Sequence, residues 1–223
     1  MLYNKKTVQE NIRNREGKRV FYLGKGDQLT SDARDYLSRE RITILPAEQA
    51  KPQSYQLLGG GIVTEKPEHM THLNAQVLVP KTHPRIRFRG MVDLLEAELL
   101  LCGPETREIL ELARRLIRCD VLEEPVGEFT LYGLTQTQQR QHSHFPQEHY
   151  GIPHFMPDYT DPRQVLALNR CRSICRQAEL AAVEAFSDRD GVLTRRDIVQ
   201  ALNRMSSMLY ILMIRRKSAD EEY

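Results

Sequence analysis

The segments NRCRSICRQAE, residues 169–179, and LNRMSSMLYILM, residues 202–213, decide how this chain folds. Each is apolar enough to lie inside a helix bundle, and each keeps polar groups on one face. Asn169, Arg172, Arg176 and Glu179 recur at three- and four-residue steps and so project from one side of a helix. Asn203, Ser207 and Tyr210 do the same on the second segment. Guanidinium groups bordering an apolar face point to a buried anion site, because arginine keeps its charge and grips oxyanions through paired hydrogen bonds. A competing reading makes both arginines interhelical ion pairs, and spacing alone leaves the two open. Asn203 carries the same ambiguity: a buried amide that fixes helix register, or a ligand contact.

Working outward, the pattern is helical from about residue 84. One helix runs from near Pro84 to Leu101 and stops at Gly103 and Pro104. Pro104 starts a second, which buries Ile109, Leu112, Leu116 and Ile117 and ends before Pro125. Thr135 and Gln138 form a capping box for a short third helix. Residues 142–160, with three prolines, read as irregular. Asp161 caps, and Pro162 opens, the helix that carries Arg172 as far as about Phe186. Thr194 with Asp197 caps the last, which closes with Arg215, Arg216 and Lys217 against the negative end of its dipole. Upstream, residues 20–23 and 42–45 are short β-like runs around a helix that starts at residues 30–32. Residues 46–61, rich in Pro, Gln, Ser and Gly, read as a linker or mobile loop. The expectation is a mainly α protein: a small N-terminal α/β extension and linker over residues 1–62, then an antiparallel four- or five-helix bundle over residues 63–223.

Composition narrows the function classes. Lys and Arg total 32 against 30 Asp and Glu, so no global charge draws the chain to nucleic acid or an anionic membrane. Four cysteines with no disulfide-like framework fit a reducing compartment. The N-terminal stretch lacks the apolar core of a secretory signal, and the longest apolar run, residues 208–214, is too short to span a bilayer. These features predict a cytoplasmic protein.

Together with VPKTHPRIRFRGMVDLLEA, residues 79–97, the two opening segments resemble the ATP:cob(I)alamin adenosyltransferases of the PduO type. In those enzymes K-x-x-x-R-V-E-A-Y-G-x-V-D-E-L-N precedes an arginine-rich helix and a final L-N-R-L-S-D-x-L-F helix. Lys81, Arg85, Gly90, Val92, Asp93 and Leu95 fit that spacing without a gap. An LTxxARxYL segment at residues 29–37 and a D-x-x-x-E-P segment at residues 120–125 resemble the ethanolamine-utilisation (EutT) branch more closely still. The resemblance implies transfer of the 5′-deoxyadenosyl group of ATP, accompanied by Mg2+, to cob(I)alamin, supplying adenosylcobalamin to ethanolamine ammonia-lyase. It also implies a homo-oligomer, first a trimer with ATP between subunits, and association with ethanolamine ammonia-lyase or microcompartment proteins. Two rivals stay open: a non-catalytic corrinoid-binding escort, and a microcompartment adaptor docking through residues 1–50.

The resemblance also assigns residues. Asp93, Arg172 and Arg176 become the catalytic set, with Arg172 paired to Asp93 and Arg176 on a phosphate. Glu179 would orient Arg176 or reach magnesium through water. Thr71, Lys81, Arg85 and Asn203 complete the ATP contacts, and Arg204 reads as structural. The family's T-K-T-G-D-D-G-T-T phosphate loop has no counterpart, because TEKPEHMTHL at residues 64–73 contains no glycine; Lys66 is the replacement donor. Phe155, in PHFMPD, matches the phenylalanine that covers the lower face of cobalt and binds cobalamin there. Some members of the ethanolamine branch carry a His-x11-Cys-Cys-x2-Cys metal cluster. Here no cysteine precedes Cys102, so no transition metal is expected, and His142, His144, His149 and His154 read as loop histidines. Cys171 and Cys175 read as core.

Overall fold

The computed structural model describes residues 1–15, 17–49 and 54–221. Contacts divide the chain into two units, Met1–Tyr55 with Ile62–Glu65 and Gln56–Gly61 with Lys66–Tyr223. Residues 50–53 of the expected linker lie outside the described residues.

The first unit contains β1 (Leu2–Tyr3), α1 (Lys5–Glu10), β2 (Arg13–Arg15), β3 (Lys18–Leu23), β4 (Gln28–Leu29), α2 (Ser31–Arg39) and β5 (Thr43–Pro46). β3 pairs antiparallel with β2 and parallel with β5, in register from Val20↔Thr43 to Leu23↔Pro46. The parallel pair requires a crossover, and α2 supplies it, burying Ala33 and Leu37 with Val8, Phe21, Leu29 and Ile42. Thr30 precedes α2 but leaves it uncapped; its hydroxyl donates instead to the Tyr3 carbonyl at 3.3 Å.

Next come β6 (Tyr55–Leu57), β7 (Ile62–Val63), β8 (Met70–His72) and β9 (Val77–Pro80). β9 pairs antiparallel with β8 and parallel with residues 56–57 of β6. The bundle follows: α3 (Pro84–Cys102), α4 (Arg107–Leu122), the hairpin β10 (Thr130–Leu131) and β11 (Leu134–Thr135), α5 (Gln136–His144), α6 (Pro146–Tyr150), α7 (Arg163–Phe186) and α8 (Arg196–Glu221). α7 is the central element, packed along both α3 and α8. It can be central because its buried face includes Cys171, Cys175, Ala178 and Ala182, small side chains that let both neighbours approach. They bring Phe88, Val92, Leu95 and Leu99 from α3 and Leu202, Met205 and Leu209 from α8, each buried at the three- and four-residue steps of an amphipathic helix. Each such side chain contributes roughly 1.5–3 kcal/mol by leaving water.

Starts and stops follow local chemistry. The Thr135–Gln138 capping box forms as expected. His83 caps α3 by accepting the Arg85 amide at Nδ1, 3.2 Å. That acceptor must be unprotonated, and burial, reinforced by Arg85 and Arg89, pushes His83 below the usual histidine value. Three expectations are corrected. Residues 142–160 include the end of α5 and all of α6. Asp161 does not cap α7, whose N-cap position is Pro162, but pairs with Lys217 at 2.6 Å. Thr194 donates to the Phe186 carbonyl at 2.8 Å, and Asp197 binds Arg195 and the Val126 amide. At Asp161 the partner is a lysine of α8, 56 residues away, in place of the local cap.

One carboxylate organises an end of the bundle. Asp120, fully buried at the end of α4, accepts from Arg85 Nε at 2.9 Å and from Arg89 Nε at 2.6 Å. Arg85 also reaches the Asp120 carbonyl, 2.8 Å, and Arg89 reaches the carbonyls of His72 and Leu73 at 3.2 and 2.7 Å. The Arg85 and Arg195 guanidiniums lie over the Phe186 ring at 5.8 and 6.0 Å. Asp120→Asn would leave two largely buried guanidiniums facing a neutral amide, a class of change that costs about 3–5 kcal/mol. Urea unfolding should show a loss of that order. Glu184→Gln, which breaks the exposed pair with Arg87, should cost less than about 1 kcal/mol. Equal, small losses would remove Asp120 as the anchor.

Candidate active site

The two polar stripes meet. Asn169, Arg172 and Arg176 of α7 and Asn203, Ser207 and Tyr210 of α8 line one cleft of about 660 Å³, together with His144, His154 and Phe155. The helical spacing of each stripe puts its members on one face, and the packing of α7 against α8 turns those faces to the same space.

Electrostatically the cleft is positive and unsatisfied. Among the described residues neither Arg172 nor Arg176 has an ion-pair partner. Burial, with Arg176 next in effect, pushes the Arg172 guanidinium down from its usual value. Its guanidinium lies 5.4 Å over the Tyr210 ring, a cation–π contact that holds its position without neutralising it. Two arginines held close without a carboxylate make a ready site for a polyanion.

Asn203 borders this cleft and a second one of about 500 Å³. Its amide is fixed at both ends: Nδ2 donates to Glu179 Oε1 at 3.0 Å, and Oδ1 accepts from Arg204 at 2.8 Å. Glu179 therefore orients Asn203, where Arg176 was expected. The second cleft is lined by Arg140, Arg196 and Arg204 beside Glu179. Arg204 is 9% exposed and its Nε has no hydrogen-bond partner. Burial first, and Arg140 second, push Arg204 down from its usual value, so this cleft too favours an anion.

Phe155 is half-buried in the segment between α6 and α7. Its amide donates to the Tyr210 hydroxyl at 3.1 Å, and Lys217 Nζ lies 4.7 Å over its ring. Other expected residues lie elsewhere. Thr71 sits on β8, Lys81 follows β9 with its side chain exposed, and neither they nor Lys66 line either cleft. Arg85, expected at the nucleotide, donates to the carboxylate and the carbonyl of Asp120 and lines neither cleft. Asp93 is exposed on α3 and does not pair with Arg172 within the chain. Arg140 and Arg196 escaped the sequence reading: one lies in a polar helix with no stripe, the other in a helix's first turn. His154 was legible only as one of several loop histidines.

Cys171 and Cys175 are core residues as expected, and the Cys102 and Cys171 sulfurs approach to 3.3 Å. Among the described residues no group of three or more His, Cys, Asp or Glu could hold a metal ion, and no helix is long and apolar enough to cross a membrane. His142 and His149 stack on each other at 3.8 Å.

Comparison with known proteins identifies the family. A family model described as cobalamin adenosyltransferase matches residues 62–216, a span containing every residue of both clefts. The corrinoid adenosyltransferase EutT of Escherichia coli strain K12 is 33% identical over 178 residues, covering 76% of this chain and 67% of the relative. Its counterpart from Salmonella typhimurium strain LT2 is 32% identical over the same length and shares. A matched region that carries both arginines, the oriented asparagine and the aromatic segment in one cleft places this chain in the cobalamin adenosyltransferase family.

Proposed function

We propose that this chain makes adenosylcobalamin by holding ATP against Arg172, Arg176 and Asn203 and cob(I)alamin against Phe155 in the same cleft. The carrying observation is the convergence of two uncompensated arginines, a doubly fixed amide and an aromatic segment on one space of about 660 Å³. Cobalt(I) of the corrinoid substrate supplies the electron pair that forms the bond to C5′, while the C5′–O bond breaks and triphosphate leaves. The protein's part is position and electrostatics. Arginines that no carboxylate neutralises favour the state in which negative charge collects on the leaving phosphates. The adjoining cleft of Arg140, Arg196 and Arg204 supports a place for those phosphates in a chain without the Gly-containing loop. Magnesium would arrive on the nucleotide, and Glu179 is the carboxylate lining the second cleft.

The assignments that miss the cleft fit a site completed between subunits. Asp93 has no ion-pair partner among the described residues. Its neighbours on α3, Gly90, Leu94, Ala97 and Leu101, form an exposed, small or apolar stripe at helical spacing, with Leu94 and Leu101 44% and 82% exposed. A second copy of the chain covering that stripe would bring Asp93 to Arg172, and Thr71 and Lys81 to the nucleotide, in a trimer with ATP between subunits. The product would serve ethanolamine ammonia-lyase, in the cytoplasm or a microcompartment.

Three outcomes test this reading in an anaerobic assay that follows loss of the Co(I) absorbance. Arg176→Ala should fold normally and lose roughly 10²–10³-fold in kcat, the size of one lost transition-state donor; an undiminished rate would remove Arg176 from the site. Asp93→Asn and Arg172→Ala should each be nearly inactive alone, yet regain activity when mixed subunits reassemble, because mixing restores some intact pairs. No recovery in demonstrably mixed oligomers would refute a shared site. Finally, activity should return fully when magnesium alone is restored after chelation. A stoichiometric transition metal needed for recovery would contradict the expectation drawn from the cysteine positions.

A further inference from the structure

We infer that Tyr210, through its hydroxyl, is a positioning residue that presents Phe155 to the corrinoid and keeps the adjacent His154 from binding cobalt. The inference rests on the corrinoid reading of the cleft but assigns parts to Tyr210 and His154, which the resemblance leaves without a role. The related final-helix pattern ends in phenylalanine where this chain has Tyr210, so the hydroxyl is a departure whose use the geometry shows.

His154 and Phe155 are consecutive and both line the cleft, so the same segment offers an aromatic ring and an imidazole to it. For this chemistry the two are opposites. Imidazole is a good donor to cobalt, and an axial donor makes reduction to the nucleophilic Co(I) state harder. A phenyl ring offers no lone pair. The structure removes the choice in two ways. Tyr210 Oη accepts the Phe155 amide at 3.1 Å, which fixes the segment's backbone. His154 is engaged at both ring nitrogens, Nε2 with the His144 carbonyl at 3.0 Å and Nδ1 with Tyr210 Oη at 3.2 Å. A carbonyl can only accept, so Nε2 carries a proton. In the neutral ring the single remaining lone pair is on Nδ1; the Tyr210 hydroxyl stands 3.2 Å from it and 3.4 Å from the Phe155 carbonyl, and its one proton goes to Nδ1 as the nearer acceptor. Protonation of His154 would remove that lone pair as well, so neither state leaves an electron pair for cobalt. The His154 and Tyr210 rings also lie nearly parallel, 15° apart with centroids at 5.6 Å.

Tyr210→Phe separates the hydroxyl from the ring. The ring, buried in α8 beneath Arg172, is retained; the hydroxyl's contacts with the Phe155 amide, the Phe155 carbonyl and His154 Nδ1 are lost. The test uses the full chain with ATP and cob(II)inamide, a corrinoid without its own nucleotide base, so that any axial nitrogen seen by electron paramagnetic resonance comes from the protein. Wild type should bind this probe with no nitrogen splitting. Tyr210→Phe should show splitting from one nitrogen and about tenfold lower kcat with KM for ATP little changed, and Tyr210→Phe/His154→Ala should lose the splitting again. Nitrogen splitting already present in wild type, or none in a Tyr210→Phe variant that binds the probe, would overturn the inference while leaving the corrinoid site intact. Failure of wild type to bind cob(II)inamide at all would instead overturn the corrinoid reading itself.

Discussion

The rest of the bundle depends on the buried carboxylate of Asp120. A charge removed from water must be matched by oriented donors or it destabilises the fold, and here the matching fixes geometry. Two arginines one helical turn apart on α3 can both reach it only if α3 and α4 meet at one register, with the β8 turn held against them through the His72 and Leu73 carbonyls. Phe186, the last residue of α7, lies beneath the guanidiniums of Arg85 and of Arg195, and Arg195 with Asp197 leads into α8. All four long helices are thereby indexed at one end, and the register of α7 against α8 at the cleft follows from it.

The site shows a complementary logic. Where the anchor pairs every charge, the cleft leaves Arg172 and Arg176 unmatched and relies on helix packing to keep them near each other. Such an arrangement is tolerable only in a fold stabilised elsewhere, and the small-residue face of α7 with its apolar neighbours supplies that stabilisation. A family whose chemistry is carried by its substrates asks the protein for this division of labour: neutralised charge for architecture, uncompensated charge for binding.

Much of this was legible in the sequence because it is periodic. Helices α3, α4, α7 and α8, the β-α-β unit, the Thr135–Gln138 box and the two stripes all follow from side-chain spacing over short distances. Arg85 shows what spacing cannot say. It fits its motif, yet in the fold its guanidinium meets Asp120, 35 residues away on α4, which spacing alone does not foretell. Asp161 and Thr194 sit where caps belong, but Lys217 and the Phe186 carbonyl compete better. Arg140 and Arg204 are brought together by the packing of α5 on α8, which leaves no local trace.

Because α7 carries arginines on one face and a closely packed apolar face on the other, the arginine side of the cleft inherits the stiffness of a close-packed interior. Moving Arg172 or Arg176 appreciably would mean loosening the seams with α3 and α8. The Phe155 side is built differently, from a stretch of irregular backbone tethered at a few polar points. Tolerance is thus unevenly distributed: the molecule is unyielding where its arginines are seated, and held by fewer contacts where the aromatic segment borders the same cleft.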